Sequence, residues 1–241
     1  MPELPEVETI VRSLRQSVIG DVIEDVWLSG RPQPLKSPPE EIAAVLQAAR
    51  IAGVRRMGKH IVMDLAVPRA RASSRGNEPR APSPAKHSHF IIHLGMTGRL
   101  LVVPPDTPVA KHTHLMARLK SGRELRFVDP RMFGKLAVVR EPFETAGAEP
   151  LDIGFELFSG LFRKRKTPIK SALLNQKLLR GVGNIYADES LARAGVRPRR
   201  RAASLTGAEL RRLYDSVQQV LNEAIAAGGS SISDYVDAEG H

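Results

Sequence analysis

The first twenty residues, MPELPEVETIVRSLRQSVIG (1–20), begin with prolines and glutamates and continue with apolar residues at helical spacing. Proline in a first turn and acidic side chains near the positive end of the helix dipole both favour a helix start, which accounts for the residues from Pro5 onward. The apolar stripe predicts a helix with one buried face that ends near Gly20. This helix does not explain Pro2 and Glu3 at the tip of the chain.

After this helix the pattern changes to short segments that are rich in β-branched and apolar residues. Seven segments have the length and composition of strands: DVIEDVWL (21–28), HIVMDLAV (60–67), HFIIHL (89–94), RLLVV (99–103), HLMARL (114–119), ELRFV (124–128) and KLAVV (135–139). One helix, from Pro39 to Arg50, interrupts them, and Ser121-Gly122 marks a hairpin turn. The pattern predicts an antiparallel β-sandwich or barrel that carries a helix.

Helical patterns replace the strands from residue 149 onward. The clearest are KTPIKSALLNQKLL (166–179), NIYADESLARAG (184–195) and GAELRRLYDSVQQVLNEAIAAG (207–228). The sequence therefore predicts an α+β protein, with an N-terminal antiparallel β-sandwich domain and its N-terminal helix over residues 1–141, followed by a helical domain over residues 149–241. Residues 68–88 lack apolar periodicity and are rich in Pro, Arg and Ser, which predicts a disordered surface loop between two strands.

The positive charge of the chain is concentrated in one segment. The net charge is +10, and residues 161–212 contain 14 Lys and Arg but 3 Asp and Glu. Such a segment is typical of a nucleic-acid binder, because neutralising phosphates releases counterions, although a solvated helix face is the alternative. The glycine-containing turn before Asn184 adds a helix N-terminus of the kind that binds phosphate.

Composition argues against several other classes of protein. No run approaches the roughly 18 consecutive apolar residues of a membrane span, and the acidic N-terminus lacks the order of a signal peptide, so we expect a cytoplasmic protein. The absence of cysteine excludes disulfides and thiolate metal sites within this sequence. His112 and His114 form an i, i+2 pair, but two histidines without a third ligand are a weak signal, and no metal site is predicted.

Pro2 offers a reactive group once Met1 is removed, which we expect because the second side chain is small. The free α-amino group then has a pKa near ~8, against ~10.4 for a lysine side chain. Such an amine can attack an aldehyde-like carbon and form an iminium ion, which acidifies the neighbouring C–H for elimination, with Glu3 as acid or base. An ordinary frayed terminus is the alternative that these residues alone leave open.

Five short segments carry a resemblance to a known family: MPELPEVET (1–9), GKH (58–60), HLGMTG (93–98), DPRMFG (129–134) and GVGNIYADESL (181–191). In this order and at these separations they resemble the formamidopyrimidine-DNA glycosylases of bacterial base-excision repair. Leu4 and Met96 look like the branch that removes oxidised purines, such as 8-oxoguanine and formamidopyrimidines. The resemblance implies a bifunctional DNA glycosylase and abasic-site lyase, whose second domain is a helix-two-turn-helix DNA-binding domain.

The resemblance implies catalytic roles at four positions. Pro2 is similar to the N-terminal proline that attacks C1′ of the damaged nucleotide and forms a Schiff base. Glu3 matches the adjacent acid, which assists opening of the sugar ring, and Glu6 belongs to the same motif. Lys59 matches a lysine that transfers a proton in β-elimination, although from its surroundings alone it could cap a strand turn.

The resemblance also implies DNA-binding positions. Met96, Arg131 and Phe133 resemble the wedge that fills the gap left when the damaged nucleotide is flipped out of the duplex. By residue type Met96 and Phe133 could be core residues, but both lie in Gly-flanked segments typical of turns. Four further positions resemble DNA-contacting ones: His93, His112, Arg165 and Asn184. His93 could instead be a structural strand residue, and Arg165 stands where the family usually has Lys.

The implied partner is double-stranded DNA that contains oxidised bases or abasic sites, bound by a monomer at the bacterial nucleoid and away from membranes. Most family members also carry a C-terminal zinc finger with four cysteines, for which this sequence lacks the residues. We therefore expect no zinc and no other cofactor, and either a truncated chain or a variant without the finger, with weaker DNA affinity and δ-elimination. An endonuclease VIII-like preference for oxidised pyrimidines and a non-catalytic damaged-DNA binding module stay open as alternatives.

Overall fold

The N-terminal helix forms as its apolar spacing predicts. In a computed structural model, which describes residues 1–66 and 87–229, helix α1 spans Leu4–Val18 and begins directly after Glu3. The backbone N–H of Glu3 donates to the Glu6 carboxylate at 2.8 Å, which satisfies a donor that the helix itself leaves free. The buried face of α1 consists mainly of apolar residues three and four positions apart: Leu4, Val7, Ile10, Val11, Leu14 and Val18.

Eight strands follow within the described part of the chain, and all of their pairings within the sheets are antiparallel. They are β1 (Ile23–Leu28), β2 (Arg50–Met57), β3 (His60–Ala66), β4 (His87–His93), β5 (Arg99–Val103), β6 (Thr113–Leu119), β7 (Glu124–Val128) and β8 (Lys135–Val139). One sheet has the order β1-β6-β7-β5 and the other β2-β3-β4-β8. Apolar residues of both sheets and of α1 share one buried core, so the predicted sandwich with its N-terminal helix is confirmed.

Strand β2 was not among the predicted strands. Gly53 lies at a shift in the β2–β3 register, and Arg55 and Arg56 point charged groups out of the strand, so the alternation of apolar and polar residues is broken. Sequence periodicity therefore gives no clear signal over residues 50–57.

Two predicted boundaries also differ. Helix α2 spans Pro39–Leu46 rather than reaching Arg50, because Ala48 has φ +61° and turns the chain out of the helix towards β2. The predicted loop over residues 68–88 lies outside the described residues except at its end, where residues 87 and 88 already belong to β4.

The second half of the chain is helical. It contains α3 (Phe155–Phe162), α4 (Ile169–Leu173), α5 (Asn184–Ala194) and α6 (Gly207–Ala226), which share a second buried apolar cluster. Helix α4 is shorter than the predicted 166–179 segment. The Gln176 side chain accepts from the Gly181 backbone N–H at 2.9 Å and donates to the Val182 carbonyl at 2.7 Å, which stabilises a turn in place of further helix.

The tip of α1 joins the two halves. Leu4 belongs to the apolar cluster of the second half, although the rest of the buried face of α1 packs in the sandwich core. The Leu4 backbone N–H donates to the Gly181 carbonyl at 3.0 Å, and α1 also packs along α6. The residues at the start of the chain are therefore held between the sandwich and the helices.

Candidate active site

The Glu3 carboxylate lies at the N-terminus of α5. One of its oxygens accepts from the Gly183 backbone N–H at 2.7 Å, and the other accepts from the Ile185 N–H at 3.1 Å. Only 2% of Glu3 is exposed. A helix N-terminus favours an anion, so α5 supplies amide donors and a dipole for a carboxylate from the far end of the sequence.

Two glycines make this close approach possible. A Cβ atom on Gly183 would lie 2.2 Å from the Glu3 side-chain carboxyl carbon, so any side chain there would displace the carboxylate. A Cβ on Gly181 would lie 2.9 Å from a Leu4 methyl group, and Gly181 also has φ +94°, which strains other residues. The turn formed by residues 181–183 can therefore contact the tip of α1 because its two glycines have no side chains.

Glu6 is buried beside Glu3 and accepts a hydrogen bond from the Tyr186 hydroxyl. It also accepts from the Glu3 backbone N–H, so its two oxygens contact α1 and α5 at once. Tyr186 lies in the first turn of α5 and was not predicted as a site residue. Glu6 thus fixes the orientation of the helix start that carries Glu3.

Lys59 lies in the β2–β3 turn and is 8% exposed. Burial lowers the pKa of the Lys59 ammonium, and the nearby negative charges of Glu3 and Glu6 oppose this effect. Burial likewise raises the pKa of Glu3, while Lys59 and the two amide donors oppose it. Burial therefore disfavours the charged form of both groups.

A salt-bridge network holds the turn that carries Lys59. Arg56 donates to the Gly58 carbonyl at 3.2 Å and contacts Glu149 at 2.6 Å. Glu149 also contacts Arg180, in the second half of the chain, at 3.1 Å. Each of these three side chains is largely or partly buried, so the network links the β2–β3 turn to the turn before α5.

A small cavity of about 100 Å³ adjoins Lys59 and is also lined by His60, His93, Gln176 and Arg180. The rings of His60 and His93 lie 5.0 Å apart. Burial lowers the pKa of His93 to about 4, with smaller contributions from His60, Lys135 and Lys59. His93 is therefore neutral near pH 7, and its Nδ1 accepts from the Gly95 N–H at 3.1 Å.

Met96, Arg131 and Phe133 lie in two neighbouring turns, residues 95–98 and 130–134, which we call the wedge turns. Met96 is 40% exposed and Phe133 is 53% exposed, so neither belongs to the core. The Arg131 guanidinium lies 4.9 Å from the centre of the Phe133 ring. The wedge turns thus present two apolar side chains and a cation to solvent.

The remaining predicted site residues lie in different places. Pro2 is half-buried next to Glu3, and Asn184 is the exposed first residue of α5. His112 is half-buried before β6, and its backbone carbonyl accepts from the Asp129 N–H at 2.9 Å. Arg165 is exposed beyond α3 and donates to the Leu161 carbonyl at 2.8 Å.

Family models for two domains match most of the chain. The formamidopyrimidine-DNA glycosylase N-terminal domain matches residues 1–136, and the formamidopyrimidine-DNA glycosylase H2TH domain matches residues 146–236. The chain belongs to the formamidopyrimidine-DNA glycosylase family. The resemblance carried by the five short sequence segments is thereby confirmed.

Individual members of the family are similar over the whole chain. The formamidopyrimidine-DNA glycosylase of Solibacter usitatus is 44% identical over 243 residues, which cover all of this chain and 83% of the relative. The enzyme of Heliobacterium modesticaldum is 42% identical over 252 residues, covering all of this chain and 84% of the relative.

Solved structures of the family share the fold. Lactococcus lactis Fpg in complex with DNA containing an abasic site has a TM-score of 0.81 and 29% identity, covering 95% of this chain and 80% of that chain. MutM in complex with DNA containing carbocyclic 8-oxo-G has a TM-score of 0.82 and 29% identity, covering all of this chain and 85% of that chain. The family fold extends through both halves of the chain.

The described ranges, 1–66 and 87–229, contain no group of three or more His, Cys, Asp or Glu side chains placed to hold a metal ion. His114 donates through Nε2 to the Asp129 carbonyl at 2.9 Å, and its Nδ1 lies 3.2 Å from the Ser29 hydroxyl. The hydrogen-bonding partners of His114 are therefore protein groups.

Among the residues that the structure describes, no helix is long and apolar enough to cross a membrane.

The lowered pKa of His93 predicts a pH dependence of stability. The unfolded chain binds a proton at His93 below a pKa of about 6.5, whereas the folded chain binds it only near pH 4. This contribution to stability is present above the unfolded pKa and is lost as the pH falls towards 4.

We therefore expect wild type to lose about 1–2 kcal/mol more unfolding free energy between pH 7 and 4.5 than a His93→Asn variant, which cannot titrate there. Urea unfolding at the two pH values measures the difference. Equal losses in the two proteins would contradict the burial of a neutral His93.

Proposed function

We propose that this chain removes oxidised purines from DNA and then cleaves the strand at the abasic site, with the Pro2 nitrogen as nucleophile. DNA glycosylase activity accords with its membership of the family. The preference for oxidised purines, the lyase step and the roles of individual residues are what we propose here. The solved family members that contain abasic-site or 8-oxo-G DNA support this choice of substrate.

One observation carries the proposal: the Glu3 carboxyl group, adjacent to Pro2, is buried at the N-terminus of α5, and its charge and that of the buried Lys59 amine act on each other. A nucleophile, a carboxyl group of raised pKa and an amine of lowered pKa are therefore found in the same region of the protein. A helix cap alone would not need a second titratable group, buried nearby, with its pKa moved in the opposite direction.

The first step joins the Pro2 nitrogen to C1′ as the bond between C1′ and the base breaks. The departing base takes the bonding electrons and the proton that the Pro2 nitrogen loses, and opening of the sugar ring needs one further proton on the ring oxygen. Glu3 supplies the proton for ring opening, because burial raises its pKa and keeps more of it protonated near pH 7. The product is an iminium ion between Pro2 and C1′.

The second step breaks the strand. The iminium charge acidifies the C2′–H, and an unprotonated amine or carboxylate removes that proton. The electrons form a C2′–C3′ double bond as the 3′ phosphate leaves. Lys59 fits this base, since burial lowers its pKa and raises its unprotonated fraction. Water then hydrolyses the iminium and releases Pro2. These steps use groups of the chain itself, so the proposal includes no cofactor.

Access to C1′ requires that the damaged nucleotide leave the base stack. The exposed side chains of the wedge turns can enter the gap and replace part of the lost stacking. Insertion of the wedge turns therefore explains how a nucleotide that starts inside the duplex can come into contact with Glu3 and Lys59, which are both buried.

A basic strip in the second half provides the DNA-binding surface of the proposal. It consists of residues 163–166 and 197–201. Two backbone hydrogen bonds join each run to the residues next to the other: Ala203 N–H donates to the Arg165 carbonyl at 2.8 Å, and Ile169 N–H donates to the Arg200 carbonyl at 2.7 Å. Seven of its cations are exposed: Arg163, Lys164, Arg165, Lys166, Arg197, Arg199 and Arg201. In the part of the chain that the structure describes, no carboxylate forms a salt bridge with any of the seven. The proposed partner is chromosomal duplex DNA, bound by a monomer at the nucleoid.

The basic strip predicts how binding depends on salt. Each cation that neutralises a phosphate contributes about 0.9 to the slope of log affinity against log salt concentration. Replacing both Arg199 and Arg201 by glutamine should lower that slope by about 2. Fluorescence anisotropy with an abasic-site duplex measures it, and Arg118→Gln, on the outer face of the other half, is the matched control. If the slope were unchanged in the double variant, the basic strip would not contact the DNA.

Product analysis on three duplexes separates the proposal from its alternatives. Excision and strand cleavage on 8-oxoguanine opposite cytosine, with much slower reaction on thymine glycol, is the expected result. The reverse preference would favour the endonuclease VIII-like alternative. Tight binding of an abasic-site duplex without cleavage of any of the three would favour a non-catalytic binding module.

A further inference from the structure

The Asp129 carboxylate ties the two wedge turns together. It is fully buried, and no step of the proposed reaction uses it. One oxygen accepts from the Thr97 hydroxyl at 2.7 Å and from the Arg131 backbone N–H at 3.2 Å, and the other accepts from the Gly134 N–H at 2.7 Å. Thr97 belongs to the first wedge turn, and the two amides belong to the second.

Glycines bring the turns into contact around this carboxylate. A Cβ atom on Gly95 would lie 2.5 Å from the backbone nitrogen of Gly134 and from the carbonyl carbon of Phe133. A Cβ on Gly134 would lie 2.5 Å from the Phe127 ring and 3.0 Å from an Asp129 carboxylate oxygen. The backbones of the two turns therefore touch directly, and neither can shift towards the other.

Asp129 is also anchored through its own backbone. Its N–H donates to the His112 carbonyl at 2.9 Å, and its carbonyl lies 2.9 Å from the Nε2 atom of the buried His114. The other ring nitrogen of His114 lies 3.2 Å from the Ser29 hydroxyl. The backbone of Asp129 is thus held in place by His112 and His114. The hydrogen bonds of its carboxylate therefore fix the position of the wedge turns relative to the sandwich.

We propose that Asp129 and Thr97 are positioning residues, which hold the wedge turns at one separation so that Met96 and Phe133 enter the DNA duplex together. The inference rests on the proposed function. Two side chains on independently moving turns would each lose conformational freedom on insertion, whereas a bonded pair has lost it in advance. The Thr97 hydroxyl is the side-chain donor that reaches the carboxylate from the first turn.

Thr97→Val is the sharpest test, because it keeps the shape of the side chain and removes only the hydroxyl bond between the turns. Thr97→Ser restores the hydroxyl. Thr9→Val is a matched control, since Thr9 lies in α1, outside both wedge turns, and its hydroxyl donates to the Pro5 carbonyl at 3.0 Å. Each protein is assayed by single-turnover excision of 8-oxoguanine from a duplex and by borohydride trapping on a single-stranded abasic oligonucleotide.

We expect Thr97→Val to excise about ten-fold more slowly from the duplex, while Thr97→Ser and Thr9→Val stay near wild type. Trapping on the single strand should be unchanged in all of them, because no partner strand has to be wedged apart. Fluorescence of 2-aminopurine opposite the lesion should rise more slowly in Thr97→Val. Excision at the wild-type rate by Thr97→Val would overturn the inference, and so would an equal loss of excision and trapping.

Asp129→Asn gives a second measurement, because asparagine has one acceptor oxygen and can accept from the Gly134 N–H or from the Arg131 N–H but not from both. Excision should fall more than in Thr97→Val, and thermal unfolding of both variants shows whether the fold is kept. An Asp129→Asn protein that folds and excises normally would contradict the role of the carboxylate. If wild type itself neither excises nor traps, the proposed function fails, which is a different result from any of these.

Discussion

Glu3→Gln is expected to lower single-turnover excision of 8-oxoguanine by about a thousand-fold, because a glutamine cannot donate the proton that opens the sugar ring. Burial raises the pKa of the Glu3 carboxyl group and so maintains its protonated fraction. The glutamine carbonyl can still accept from one of the two α5 amides, so we expect only a small fall in thermal stability.

Matched measurements separate chemistry from folding in this variant. Glu40→Gln changes an exposed residue in the first turn of α2 and should leave excision unchanged. Strand cleavage at a preformed abasic site should fall less than excision in Glu3→Gln, since the sugar of that substrate is already in equilibrium with its ring-opened aldehyde. Excision by Glu3→Gln within a few-fold of wild type would show that Glu3 serves α1 as a helix cap and not the reaction.

Gly183→Ala is expected to lower excision by about a hundred-fold through displacement of Glu3. The backbone of Gly183 has φ −127° and ψ −161°, which an alanine adopts without strain. The added Cβ, however, would lie 2.2 Å from the Glu3 carboxyl carbon and 2.3 Å from one of its oxygens. The carboxylate must then move away from the amides of α5, and its distance to the reacting sugar changes.

Gly160→Ala is the matched control, because a Cβ there meets nothing within 4 Å. The same excision assay and thermal unfolding apply to both variants. If Gly183→Ala excised at the wild-type rate, the position of Glu3 at the α5 N-terminus would not matter for catalysis.

Much of the fold follows from local pattern. The apolar spacing in residues 1–20 predicts α1, and short segments rich in β-branched and apolar residues predict seven of the eight described strands. Strand β2 and the end of α2 are missed because they depend on a shift of register at Gly53 and a positive φ at Ala48, which periodicity does not report.

The candidate site is likewise predictable from the sequence only in part. The reactivity of an N-terminal proline beside a glutamate follows from the residues, and the resemblance adds Lys59 and the wedge. The contacts that tune the site are not predictable from the sequence. Glu3 meets the Gly183 amide 180 positions away, and Glu149 joins Arg56 and Arg180 across the two halves of the chain.

The most direct test of the central claim is the identity of the atom that binds C1′. Borohydride reduction during reaction with an abasic-site duplex, followed by proteolysis and mass spectrometry, should find the sugar on the N-terminal peptide at Pro2. An uncleaved N-terminal tag, which leaves no free Pro2 amine, should abolish the adduct, and removal of the tag up to Pro2 should restore it. An adduct on Lys59, or one that forms equally well with the tag in place, would contradict the account.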